Sequence, residues 1–149
     1  MATLSTLATL IELASKDSDE AAKRLGASLR ASEEAQQKLD LLLQYRDDYA
    51  LRHQSSLSAG ISTTHLHNFH AFMYKLDHAI AGQQKILDDA QQRTAHARSA
   101  WIVCEQKKMS FVTLATRADK EAVRRELSRD QKQNDEHAAR NVLNKPHPL

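Results

Sequence analysis

The stretch HQSSLSAGISTT, His53 to Thr64, is the one convincing break in a chain otherwise patterned for continuous helix. It carries Gly60 and a cluster of serine and threonine hydroxyls, the residue types that turn a chain. Elsewhere strong breakers are missing: the only two prolines, Pro146 and Pro148, stand in the last four residues. Gly26 and Gly82 lie inside helical patterns, where each costs roughly 1 kcal/mol against Ala without ending the helix. The break therefore predicts two helices, the first over residues of about 3–54 and the second over about 65–142, with a loop at 55–64 and a disordered tail at 143–149. Thr63 or Thr64 is the expected cap of the second helix.

Working back from the break, alternate steps of three and four from Leu4 to Tyr49 meet ten apolar residues at fourteen positions. The stripe includes Leu7, Ile11, Ala21, Leu25, Ala35, Leu39 and Leu42, with Arg46 at the position before Tyr49. Working forward, a frame starting at Phe69 reads Phe69, Phe72, Leu76, Ala79, Gln83, Ile86, Ala90 and so on to Ala118, with twelve apolar residues at fifteen positions. Stripes sustained over so many turns indicate a coiled coil. Many seam residues are Ala or Ser, which let helices approach closely but bury little area per turn, so the pairing should be moderately stable.

These readings predict an all-α fold: an antiparallel two-helix coiled-coil hairpin in a single domain, with the second helix longer. At about 1.5 Å per residue the helices should be on the order of 75 and 115 Å long. A turn near residue 59 sets Leu4 opposite Leu114. Residues beyond about 115 should then overhang without a partner in their own chain.

Composition narrows the function. A formal charge of +2 is too small to imply nucleic acid or an anionic membrane surface. All of that excess lies in residues 115–145, which hold eight Lys/Arg against six Asp/Glu. One cysteine, Cys104, excludes an internal disulfide and suits a reducing cytosol. The N-terminal MATLSTLATLIELASKDSDE lacks the basic start of a signal peptide, and no stretch is apolar enough to span a membrane. The expected location is cytoplasmic.

Chemistry has little foothold. His65, His67, His70 and His78 gather at the start of the second helix, and His67 and His70 could share a metal on one face, but no carboxylate or Cys completes a ligand set. They are read as a solvated helix end, with no metal and no cofactor. Cys104 falls in the seam and reads as a small hydrophobe, and Trp101 flanks the seam beside Ala100 as half-buried packing. There is no phosphate loop, and the paired aspartates at 47–48 and 88–89 read as helix surface, so no catalytic residue is expected.

Five of the seven aromatic residues lie between residues 45 and 74. Lys38, Leu42, Tyr45 and Tyr49 run at 4-3-4 spacing, and Phe72, Leu76, Ala79 and Gln83 run alongside near the closed end. They are either seam or docking patch. Arg46 rather than Tyr45 holds the heptad position, so one of the two must move to the flank, and a partly exposed Tyr beside Leu and Phe suits a docking patch. The overhang RADKEAVRRELSRDQKQNDEHAARN has Val123 and Leu127 as its one apolar i, i+4 pair. Alone it should be a marginal helix, either a solvated tail or a segment that gains order inside a partner.

Four stretches carry a resemblance: LATLIELASKDSDEAAKRLG, LLLQYRDDY, NFHAFMYKLDHAI and DQKQNDEHAAR. In this order and with compatible spacing they resemble the FliJ family, the small coiled-coil component of the bacterial flagellar type III export apparatus. The resemblance implies a hairpin like the stalk (gamma) subunit of rotary ATPases. It implies three partners: the ring of the export ATPase (FliI), the export gate protein FlhA, and export chaperones that the protein escorts. It also implies a role in motility and peripheral attachment to the inner membrane through the apparatus. Carried over by position, the gate-binding patch falls on Leu42, Tyr45, Tyr49, Phe72, Leu76 and Ala79. Lys38 stands where Gln is familiar, and Gln83 where His is familiar. The ring-binding surface is expected at Leu7 and Ile11 with Arg117, Arg124, Arg129, Lys132 and Arg140. No nucleic acid, direct membrane insertion or self-association is implied, and the free protein is expected as a monomer. A self-associating structural coiled coil is the alternative.

Overall fold

A computed structural model of the protein describes residues 3–145. Two helices pack against each other, α1 over Leu4–Ala59 and α2 over Thr63–Asn144, and there is no strand among the described residues. The fold is an all-α hairpin. Residues 146–149 of the expected tail lie outside the described residues, while Leu143 and Asn144 continue the helix.

The break is shorter than its composition suggests. α1 runs on to Ala59 rather than ending near residue 54, because its hydroxyls turn back on their own helix. Ser56 Oγ donates to the Arg52 carbonyl at 3.0 Å and Ser58 Oγ to that of Gln54 at 3.3 Å. Serines bonded this way are absorbed by a helix rather than ending it. Gly60 ends it, with φ at +85° and its N–H donating to the Leu57 carbonyl at 3.2 Å, the left-handed stop that glycine adopts without a Cβ clash. The cap of α2 is Ser62 rather than Thr63 or Thr64: its Oγ accepts the His65 N–H at 3.2 Å, three residues on. At the start of α1, Thr3 caps in the same way, accepting the Thr6 N–H at 3.2 Å.

The contacts divide the chain into two units, one of residues 17–104 and one of residues 1–16 with 105–149. In the first, the core is Ala35, Leu39, Leu87 and Ala90, with Ile80 packed against it. The register is read from cross-helix pairs: Gln83 Nε2 donates to the Ala35 carbonyl at 3.1 Å, Arg46 meets Asp77 at 3.1 Å, and the Tyr49 ring stacks on Phe69. Partner numbers fall along α2 as they rise along α1, so the pairing is antiparallel. The Gln83 bond ties a seam amide to a backbone carbonyl, which keeps that polar side chain satisfied in the interface.

The α1 stripe holds almost throughout. Every expected seam position from Leu7 to Tyr49 is buried or half-buried except Arg46. The α2 frame needs a correction. From Phe69 the chain buries Leu76, Leu87, Ala90 and Thr94 and half-buries Met73, Ile80, Gln83, Ala97, Trp101 and Cys104, stepping four then three. The expected seam residues Phe72, Ala79, Ile86, Arg93 and Ala100 are exposed. Both frames, carried to Ala118, hold twelve apolar residues in fifteen, so counting could not separate them. Size separates them: the observed frame buries Ile80 and Trp101 where the other buries Ala79 and Ala100, and larger side chains remove more apolar area from water.

In the second unit Leu7 and Ala14 are buried, and Phe111, Ala115 and Ala118 are half-buried. Leu114, expected in the seam, is 49% exposed, with Ala115 taking the inward position. Partial burial continues to Glu121, about two turns beyond the expected end of pairing, and every residue from 122 to 145 is exposed.

Candidate interaction surfaces

The aromatic residues near the turn divide into two roles. Tyr49 stands at the centre of an inter-helix cluster, stacked on Phe69 with ring centroids 5.3 Å apart and tilted against Phe72 at 4.5 Å. His53 lies face to face with Phe69 at 3.5 Å. Aromatic pairs at such spacings add stabilisation beyond their buried area. This cluster fastens α1 to α2 beside the turn.

Tyr45 does the opposite. It is 63% exposed, one turn before Tyr49, while Arg46 reaches across to Asp77. The arginine keeps the heptad position by pairing in solvent, and the tyrosine is displaced to the flank. Two depressions meet at Tyr45. One, of about 270 Å³, is lined by Tyr45, Asp48, Tyr49, Arg52 and Phe72. The other, of about 430 Å³ and mostly apolar, is lined by Lys38, Leu41, Leu42, Tyr45 and Gln83. Six of the eight residues singled out from the sequence as a docking patch thus line two depressions that share Tyr45. Leu76 is buried in the seam, and Ala79 is exposed without lining either depression. Leu41, 65% exposed, was missed; it stands outside the heptad, and an apolar residue off the stripe was the available signal.

The four expected histidines are not gathered. The His78 ring meets Tyr74 edge-on at 4.7 Å and the His70 ring meets Phe69 edge-on at 5.5 Å. Among the described residues no three His, Cys, Asp or Glu side chains come together as a metal site would require. Cys104 is half-buried and free, and Trp101 is half-buried within the seam rather than beside it.

The second candidate surface separates the same way. Leu7 is buried and Ile11 half-buried, so both hold the seam, and the outward apolar residues of those turns are Leu4 and Leu13. Arg117, Arg124, Arg129, Lys132 and Arg140 are all exposed. Arg124 is engaged with Glu121, at 2.6 Å through Nη2, and Arg125 approaches the same carboxylate at 3.4 Å. The Arg124 hydrogen bond holds the Glu121 carboxyl below its ordinary value and raises the Arg124 guanidinium in turn. Such a lowered carboxylate contributes above its unfolded pKa, and the contribution is lost as pH falls through the folded value. Arg117, Arg129, Lys132 and Arg140 form no ion pair among the described residues, so four cations face solvent unneutralised.

No helix among the described residues is long and apolar enough to cross a membrane. The family model described as Flagellar FliJ protein matches residues 3–147. The Flagellar FliJ protein of Escherichia coli (strain K12) is 33% identical over 146 residues, covering 98% of this chain and 99% of that protein. The Flagellar FliJ protein of Salmonella typhi is 31% identical over the same coverage. With one helical pattern matched from end to end, the chain belongs to the FliJ family of flagellar proteins.

Proposed function

We propose that this chain is a non-enzymatic, cytoplasmic component of flagellar type III protein export, peripherally attached to the inner membrane through the export apparatus. It promotes assembly of the export ATPase ring, couples that ring to the export gate and escorts export chaperones. The observation that carries the reading is the segregation of two unlike surfaces. The unit of residues 17–104 carries an aromatic groove around Tyr45, suited to docking a partner's apolar side chains. The other unit carries a solvated helix, residues 122–144, with unpaired cations. The groove docks the gate protein, and the cationic helix with the N-terminal turns enters the ATPase ring. Steering by those cations makes association with the ring salt-sensitive. The free chain is a monomer.

Deletion of residues 115–149 tests the division of labour. The shortened chain is expected to lose stimulation of ATPase ring assembly while binding the gate protein as the full chain does. Full stimulation by the shortened chain would place the ring contact elsewhere.

A further inference from the structure

A third depression, of about 90 Å³, adjoins the aromatic groove and differs from it in chemistry. It is lined by Tyr49, Arg52, His53, Ser56, His65 and Phe69. The volume is well above the ~15 Å³ of the same measure that a single water needs. Its polar lining is donor-rich: a guanidinium, two imidazoles and two hydroxyls. No carboxylate lines it, although Arg52 also lines the neighbouring depression, where Asp48 does. The Ser56 hydroxyl is committed to the Arg52 carbonyl, but the guanidinium and the two imidazoles are not. Arg52 forms no ion pair among the described residues, and the rings of His53 and His65 have no hydrogen-bond partner there. The His53 ring is held flat against Phe69 at 3.5 Å, and stacking fixes its plane while leaving its nitrogens at the edge, where an imidazole N–H can donate.

We propose that this depression is an oxyanion site, in which Arg52, His53 and His65 converge on a carboxylate or phosphate group. Arg52 supplies the permanent charge and the forked donors that match two oxygens of one anion. His53, immobilised by Phe69, and His65, in the first turn of α2, approach from the two helices, so the site exists only where the hairpin closes. The site shares Tyr49 and Arg52 with the depression beside Tyr45, but His53 and His65 belong to it and not to the groove, and it stands or falls on its own measurement.

The test is an NMR titration of the labelled full-length chain at constant pH and ionic strength, with inorganic phosphate in one arm and acetate in the other. The expected result is a saturable shift of the Arg52, His53 and His65 side-chain signals, with those of His67 and His96 unmoved. Tighter saturation by phosphate identifies a phosphate group as the natural occupant. Equal or tighter saturation by acetate identifies a carboxylate side chain of a protein partner. Arg52→Gln, at an exposed position that leaves the fold intact, is expected to weaken the anion at least about tenfold, as loss of a charged hydrogen bond does. His65→Gln should weaken it in the same direction. A linear drift shared by His67 and His96, or an unchanged titration in Arg52→Gln, would overturn the assignment.

Discussion

Tyr45 and Tyr49 are one helical turn apart on α1, yet one is open to solvent and the other is wedged between Phe69 and Phe72. The difference comes from the arginine between them. Arg46 occupies the seam position by pairing with Asp77, and that swings Tyr45 onto the flank, where it borders both halves of the groove. Truncation should therefore give opposite results at the two sites. Tyr49→Ala removes two ring contacts and is expected to destabilise the hairpin by about 2 kcal/mol, seen as a lower melting temperature by circular dichroism. Tyr45→Ala removes an exposed ring and should change stability by less than about 0.5 kcal/mol. Equal losses in the two variants would show that Tyr45 is part of the core.

Both helices were legible from the spacing of their apolar residues, and the reasons differ where the reading stopped. On α1 the expected frame, with Ser18, Ala21, Ser28 and Ser32 in the seam, is the frame observed. On α2 two frames tie by count, and the larger volumes of Ile80 and Trp101 decide. The serines before Gly60 read as loop by composition, but their hydroxyls find carbonyls one turn back, a choice that composition alone does not reveal. The groove was half-visible: Arg46 in a seam position announced it, whereas the exposure of Phe72 follows from the shifted frame.

A Cβ built on Gly26 or Gly82 meets nothing within 4 Å, so Gly26→Ala and Gly82→Ala should each stabilise by roughly 1 kcal/mol and together raise the melting temperature by several degrees. A fall in either variant would mean that the helix needs glycine there for a close approach. In the second unit, the helix beyond Glu121 has no buried residue, and Val123 and Leu127 are 56% and 64% exposed. An isolated helix of that length is marginal in water. Amide hydrogens of residues 122–144 should therefore exchange far faster than those around Leu39 and Leu87, and slow exchange there in the free chain would reveal an unrecognised partner.

For the whole molecule, membership of the FliJ family and an exposed groove around Tyr45 direct attention to contacts. Few residues carry the groove, so its loss can be separated from loss of fold. The proposed function turns on whether the groove around Tyr45 docks the export gate. The most direct measurement is the equilibrium affinity of the purified gate protein FlhA for the intact chain and for the Tyr45→Ala/Phe72→Ala variant, with helicity recorded on the same samples. Interface anchors of this kind typically carry about 2 kcal/mol or more each. Affinity should weaken by at least about thirtyfold with helicity unchanged. Unchanged affinity in a variant that remains fully helical would contradict docking of the gate by the groove.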